Sequence, residues 1–204
     1  MTKRLRYQVA VSLDGFIADP HGGYDWIVGD PSIDFGALYK EFDTVVMGRK
    51  TYDLVRTQGG SGAMPGLDVV VFSRTLPPTR SPGVRVTSDD PSEVVADLKA
   101  GNGRDIWLFG GGELFGYLLD AGLVDTVEVA VMPVLLSAGI PLLPAGSNTT
   151  LVLSDLKRLP SGIVMLAYSV TGTKAAAPRI RYIKSSKGRQ RKSKARNKPR
   201  KPKR

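Results

Sequence analysis

Cysteine is absent from this 204-residue chain, and histidine occurs once, as His21. The first absence excludes a disulfide scaffold, a Cys-ligated zinc or iron–sulfur site and a cysteine nucleophile. The second removes multi-histidine metal sites and leaves a Ser-His-Asp triad only one candidate base. No apolar run approaches the ~18 residues of a membrane span. The charged start, Met1-Thr2-Lys3-Arg4-Leu5-Arg6, leads to no apolar stretch of signal-peptide length before Asp14. The expectation is a soluble cytoplasmic protein without membrane partners. Neither common phosphate fingerprint is met: no G-x-x-x-x-G-K-[ST] occurs, and Gly110-Gly111-Gly112-Glu113-Leu114-Phe115 fails G-x-G-x-x-G at its last position.

Acidic residues are missing from a whole region. Positions 174–204 hold 15 Lys or Arg and no Asp or Glu, which leaves residues 1–173 with 14 bases against all 19 acids. The formal net charge of +10 is therefore the sum of a −5 body and a +15 tail. The body, 1–173, is long enough to bury a core of its own. The tail repels itself and offers little to bury, so 174–204 is expected to be disordered. Two readings of it stand side by side: non-specific binding of DNA or RNA through phosphates, or a solubilising extension beyond the functional chain.

Within the body, short β-branched runs bounded by Gly, Pro or Asp predict strands at 7–13, 44–47, 69–72, 84–87, 106–109 and 126–132. Phe35, Leu38, Tyr39 and Phe42 fall on one face of a predicted helix. Asp90-Pro91-Ser92-Glu93 announces a second, with an N-cap acid, Pro at the first position and Glu three residues on. A third is predicted over 113–121. Strand and helix alternation implies an α/β fold: a mostly parallel central sheet, helices on both faces. The pieces 126–136 and 163–170 lack an intervening helix and predict an antiparallel C-terminal edge.

Such sheets bind ligands beyond the carboxyl ends of their strands. At three of those ends stand Gly48-Arg49-Lys50-Thr51, Ser73-Arg74-Thr75 and Gly110-Gly111-Gly112-Glu113. Close backbone N–H groups, a helix N-terminus and guanidinium forks are what a phosphate-bearing ligand needs. Singly, each also reads as a tight turn or a solvated arginine. Their coincidence at equivalent strand ends is the signal.

Five segments carry a resemblance: Val11-Ser12-Leu13-Asp14-Gly15-Phe16-Ile17-Ala18, Val46-Met47-Gly48-Arg49-Lys50-Thr51-Tyr52, Phe72-Ser73-Arg74-Thr75, Phe109-Gly110-Gly111-Gly112-Glu113-Leu114 and Pro133-Val134-Leu135-Leu136-Ser137-Ala138-Gly139-Ile140-Pro141-Leu142. In order and spacing, over residues 4–171, they resemble the dihydrofolate reductase superfamily, and within it the RibD C-terminal domain of riboflavin biosynthesis. The resemblance implies a three-layer dihydrofolate reductase-like fold and NADPH as cofactor. It assigns Gly48, Arg49, Lys50 and Thr51 to the cofactor phosphates, and Ser73 and Arg74 to the adenosine 2′-phosphate. Gly110, Gly111 and Gly112, with Glu113 and Leu114 opening the helix, would underlie the pyrophosphate, the first two glycines joined by a cis peptide. Ile17 and Ala18 would lie beside the nicotinamide.

By the same resemblance Asp34 matches the substrate-side carboxylate that helps protonate the product; read from the residues alone it is equally a helix N-cap. Asp14 orders the cofactor loop or caps the Asp14-Gly15 turn. Asp25 and Trp26 border the substrate pocket, or Trp26 is a lid over the core. His21 reads as an exposed loop residue. The implied reaction is hydride transfer to a small-molecule pyrimidine- or pterin-like substrate, of the 5-amino-6-(5-phosphoribosylamino)uracil type. Dihydrofolate reduction and reduction of an unassigned substrate are the alternatives. The chain departs from riboflavin-pathway reductases at 59–66, a Gly-rich segment where an Arg-bearing one for the ribose phosphate is common. It also lacks the cysteines of a companion deaminase. The resemblance further implies a homodimer, with 126–132, apolar on both faces, pairing across the interface.

Overall fold

Alternating apolar residues sort the central strands into two faces, and each face takes its own pair of helices. The computed structural model describes residues 2–57, 60–143 and 148–171. Over them run β1 (Leu5–Ser12), β2 (Phe16–Ala18), α1 (Phe35–Tyr39), β3 (Phe42–Gly48), α2 (Arg49–Thr57), β4 (Asp68–Phe72), β5 (Thr79–Ser81) and β6 (Val84–Thr87). Then follow α3 (Pro91–Ala100), β7 (Asp105–Gly110), α4 (Gly112–Asp120), β8 (Thr126–Met132), β9 (Ile140–Pro141), β10 (Leu151–Arg158) and β11 (Val164–Val170). Nine strands form one sheet in the order β10-β11-β8-β1-β7-β3-β4-β6-β5. The six from β8 to β6 are parallel, while β11 and β10 at one end and β5 at the other are joined by antiparallel pairing. This is the mostly parallel sheet with an antiparallel C-terminal edge that the sequence pattern predicted, and the dihydrofolate reductase-like architecture that the resemblance implied.

On one face Leu5, Tyr7, Val46, Val70, Ile106 and Leu108 pack against Val94 and Val95 of α3 and Leu114, Phe115, Leu118 and Leu119 of α4. On the other, Val45, Met47, Val69, Val71 and Trp107 meet Tyr52 of α2 and Leu38 of α1. Each such side chain contributes roughly 1.5–3 kcal/mol by leaving water. The start of α3 is capped as its sequence announces. The Asp90 carboxylate accepts from Ser92 N at 2.8 Å, and the Ser92 and Tyr117 hydroxyls help lower its pKa to about 2.

At the N-terminal ends of the strands the body gathers paired charge. Arg6, with a side chain only 10% exposed, forks onto Glu128 at 2.8 and 2.7 Å and also reaches Glu41 and Asp105. Although burial acts against it, Glu128 and Glu41 hold the guanidinium firmly charged. Removing one partner of such a buried pair costs about 3–5 kcal/mol. The sequence offers no local hint of this network, because its members lie on four different segments.

Several expectations are corrected. The helix expected to include Phe42 stops at Tyr39, and Phe42 instead opens β3, fully buried. The 126–136 run ends as a strand at Met132. That strand, β8, lies between β1 and β11, so it has no free edge for pairing with a second copy. The true edge is β10, unforeseen because its Ser154, Asp155 and Lys157 interrupt the apolar pattern. The strands β2, β5 and β9 are too short to show a period. No peptide bond among the described residues is cis, so the Gly110–Gly111 bond is trans. The 173/174 boundary, the basic tail with its polyanion reading, and Gly59 of the Gly-rich segment lie outside the described residues. No described helix is long and apolar enough to cross a membrane.

Candidate functional site

Three strand ends meet because of register. In the order β7-β3-β4, Met47 stands opposite Gly110 and Gly48 opposite Phe72, so the segments that follow Gly48, Phe72 and Gly110 emerge side by side. The sequence separates them by 24 and 38 residues or more; the sheet makes them neighbours.

Glycine matters at two points. A Cβ on Gly110 would come within 3.2 Å of Thr51 Cγ2 and 3.3 Å of its Oγ1, so α2 and β7 approach closely here and a side chain would have to push Thr51 aside. Gly111 has φ of +95°, a conformation that costs other residues roughly 1–3 kcal/mol. Gly111 also occupies the N-cap of α4 with no side-chain cap hydrogen bond. The first backbone N–H groups of α4, from Gly112, Glu113 and Leu114, therefore remain available to a ligand. The Leu114 side chain packs into the core, so only its backbone faces that role. Glu113 is exposed and sits 3.6 Å from Lys50 Nζ, tying the first turns of α4 and α2 together loosely.

Arg49 spans two strand ends. Its Nε lies 3.2 Å from Asp53 Oδ2 and its Nη1 donates to Thr75 Oγ1, beyond β4. Ser73 is buried; its Oγ accepts from Leu76 N at 3.0 Å and Thr75 N at 3.3 Å and lies 3.5 Å from the Thr75 hydroxyl. Arg74 is exposed and makes no ion pair among the described residues. The backbone at Ser73 is fixed by its N–H to the Thr87 carbonyl at 2.9 Å. Charge-assisted bonds of the kind these arginines offer are worth about 1.5–3 kcal/mol each.

Ile17 and Ala18 lie on β2, which pairs with β9 rather than with the main sheet. That small sheet is held by Asp14, whose carboxylate accepts from Ser12 Oγ at 2.6 Å and from Leu136 N and Ser137 N at 3.1 and 2.7 Å. The Ser12 hydroxyl and these backbone groups keep its carboxyl below the usual range. Asp14 thus makes a local bond to Ser12 and a tie to residues 136–137 that neither sequence reading included. A Cβ on Gly139 would collide with the Ala18 carbonyl, so β9 can close on β2 only with glycine there.

Asp34 is the N-cap of α1, its Oδ1 accepting from Ala37 N at 2.9 Å, and its Oδ2 has no hydrogen-bond partner among the described residues. Asp25 is exposed. Trp26 packs against the buried cluster of Met132, Leu159 and Ile163 and donates from Nε1 to the Gly23 carbonyl at 3.2 Å, which is the lid-over-core alternative. His21 is exposed. Sequence reasoning missed Asp30, which is buried and accepts from Ser32 N at 2.8 Å and Ser161 N at 3.0 Å. Hydrogen bonds from Ser161 and Ser32 hold its carboxyl well below the usual range. The Asp-Pro-Ser run at 30–32 was the available signal, since Asp folds such turns onto its own backbone.

The chain as a whole matches known proteins. The family model of the RibD C-terminal domain matches residues 3–165. The uncharacterized protein YyaP of Bacillus subtilis (strain 168) is 31% identical over 182 residues, covering 83% of this chain and 96% of the relative. Among solved structures, a putative riboflavin biosynthesis protein from Shewanella sp. PV-4 superposes with a TM-score of 0.70 at 27% identity, over 84% of this chain and 99% of that one. A diaminohydroxyphosphoribosylaminopyrimidine deaminase/5-amino-6-(5-phosphoribosylamino)uracil reductase from Thermotoga maritima shares the fold, with a TM-score of 0.63 at 15% identity. It is covered over 57% of its length, against 83% of this chain.

Proposed function

This chain belongs to the RibD C-terminal domain family, and from that premise we propose that it is an NADPH-dependent reductase acting on a pyrimidine- or pterin-like heterocycle. The observation that carries the reading is the meeting of three strand ends, where Thr51 abuts Gly110 and Arg49 reaches Thr75. The donor set suits a phosphorylated dinucleotide. Bare helix N–H groups and a glycine surface suit a pyrophosphate, and Ser73 with Arg74 suits a 2′-phosphate.

The nicotinamide, when bound, supplies the hydride; the protein supplies position, electrostatics and a proton path. Arg49, Lys50 and Thr51 hold phosphate at the start of α2. The uncapped turn at Gly111 and Gly112 receives the pyrophosphate. The β2 backbone at Ile17 and Ala18 fixes the reactive ring, braced by Asp14 through Leu136 and Ser137. Asp34 keeps Oδ1 on its cap and offers Oδ2 to a polar ring edge, where it orients the substrate and holds a proton near the reduced bond.

For the substrate, residues 7–39 carry Asp14, Asp19, Asp25, Asp30 and Asp34 but no Lys or Arg. A base-free wall favours an unphosphorylated heterocycle over a phosphoribosyl one, because a phosphate dianion placed there would meet only like charge. The test is titration of the full chain with NADPH and NADH, then turnover of a pyrimidine, pterin and carbonyl panel followed by loss of reduced-nicotinamide absorbance. Equal affinity for the two cofactors would overturn the NADPH assignment.

A further inference from the structure

The turn Pro82-Gly83, with Gly83 at φ of +75°, folds β5 back on β6 at the sheet edge beyond β4. In that hairpin Arg80 stands directly opposite Arg85, so both guanidinium groups leave the same face. The opposite face is taken by Val84 and Val86, which are buried. Like charges directly across a ladder destabilise it unless something negative lies between them. Asp89 supplies part of this: its Oδ2 accepts from Arg85 Nη2 at 3.0 Å and from Thr87 Oγ1 at 2.6 Å. One positive charge in excess remains. The two arginines line a cavity of about 330 Å3, together with Pro78, Thr87, Ser88 and Asp89.

Backbone links this depression to the Ser73 strand end. Thr87 accepts from Ser73 N at 2.9 Å, and the chain leaving Ser73 and Arg74 runs through Pro78 directly into β5. We propose that the β5–β6 hairpin extends the cofactor's adenosine site, with Arg80 and Arg85 as further ligands of the 2′-phosphate besides Arg74. This rests on the reading of the site as one for NADPH. It adds two specificity-determining residues and a compensating acid, Asp89, that tunes them. Arg85 is the shared element: while free of ligand it pairs with Asp89, and with phosphate present it has a second, doubly charged partner.

The test needs no substrate. Calorimetric titration of the full chain with 2′,5′-ADP and with 5′-AMP compares two probes that differ by the 2′-phosphate alone, with thermal unfolding to verify each variant's fold. The double variant Arg80→Gln/Arg85→Gln is expected to bind 2′,5′-ADP at least tenfold more weakly and 5′-AMP less than twofold more weakly. Asp89→Asn, which frees Arg85, is expected to tighten 2′,5′-ADP about threefold and to leave 5′-AMP unchanged; a merely structural hairpin would not give that gain. If Arg74→Ala weakens 2′,5′-ADP while the double variant does not, the hairpin inference fails and the NADPH reading stands. Equal weakening of both probes also overturns the assignment to the 2′-phosphate. If the unaltered chain prefers neither probe, the NADPH reading fails and takes this inference with it.

Discussion

The ends of β7, β3 and β4 leave donors unused: the uncapped start of α4 and the exposed Arg74. Residues 7–39 differ: they carry five Asp and no Lys or Arg, and four of the five carboxylates already hold backbone. Asp14 holds Leu136 and Ser137, Asp19 holds His21 and Gly23, Asp30 holds Ser32 and Ser161, and Asp34 holds Ala37. The donor wall is rigid because regular strands and helices build it. The acceptor wall is mostly loop, and its carboxylates do the work that a ladder does elsewhere. The difference is one of charge: on the proposed reading the first wall suits the polyanionic end of a ligand and the second an uncharged or cationic end.

The sharpest way to break the donor wall is to fill its glycine surface. Gly111→Val is expected to reduce NADPH affinity by two orders of magnitude or more and to lower stability by roughly 1–3 kcal/mol, read by titration and by denaturant unfolding. Next in size, Arg74→Ala is expected to lose tenfold or more of the preference for NADPH over NADH, in line with about 1.5–3 kcal/mol for a charge-assisted bond. Equal loss for both cofactors would show that Arg74 reads no 2′-phosphate. On the acceptor wall, Asp34→Asn preserves a cap but removes the charge. Turnover should fall several-fold while stability changes little, whereas Asp34→Ala should also cost about 1 kcal/mol of stability. Full activity in Asp34→Asn would reduce Asp34 to a cap.

The smallest effect tests the difference in how the walls are held. Asp14, Asp19 and Asp30 titrate below their unfolded values, so the stability they lend is complete above an unfolded Asp pKa of about 3.9. It is lost as pH falls through their lowered native values. Amide exchange at Leu136, Ser137 and Gly23, relative to that in β3, should therefore accelerate only below about pH 4, as the carboxylates protonate. Simultaneous loss in both regions would show that the carboxylates do not hold the acceptor wall separately.

The donor wall was largely legible in the sequence and the acceptor wall was not. Gly48-Arg49-Lys50-Thr51, Ser73-Arg74 and Gly110-Gly111-Gly112 each sit at the end of a β-branched run, where local pattern marks both the strand and its stop. The tie from Asp14 to Ser137 spans more than 120 positions, and nothing near Asp14 signals it. Ser137 itself takes φ of +66°, a strained choice for a non-glycine residue that only a tertiary contact explains. Phe42 shows the limit of periodicity: it fits the helical face of Phe35 and Leu38, yet burial beside Trp107 in the sheet wins. The homodimer edge was misread for the same reason, since apolarity on both faces marks a central strand as well as an interface.

By itself the sequence determined the alternation of strands and helices, the caps and glycine turns, and the split between a −5 body and a +15 tail. These depend on neighbours within a few residues, where propensity and period act. Tertiary structure alone decided the strand order that sets Gly110 beside Met47, the register that sets Arg80 opposite Arg85, and the Arg6 network below them. Each of those joins residues far apart in the chain, and it is the burial of both sheet faces, rather than any local preference, that fixes which strands become neighbours.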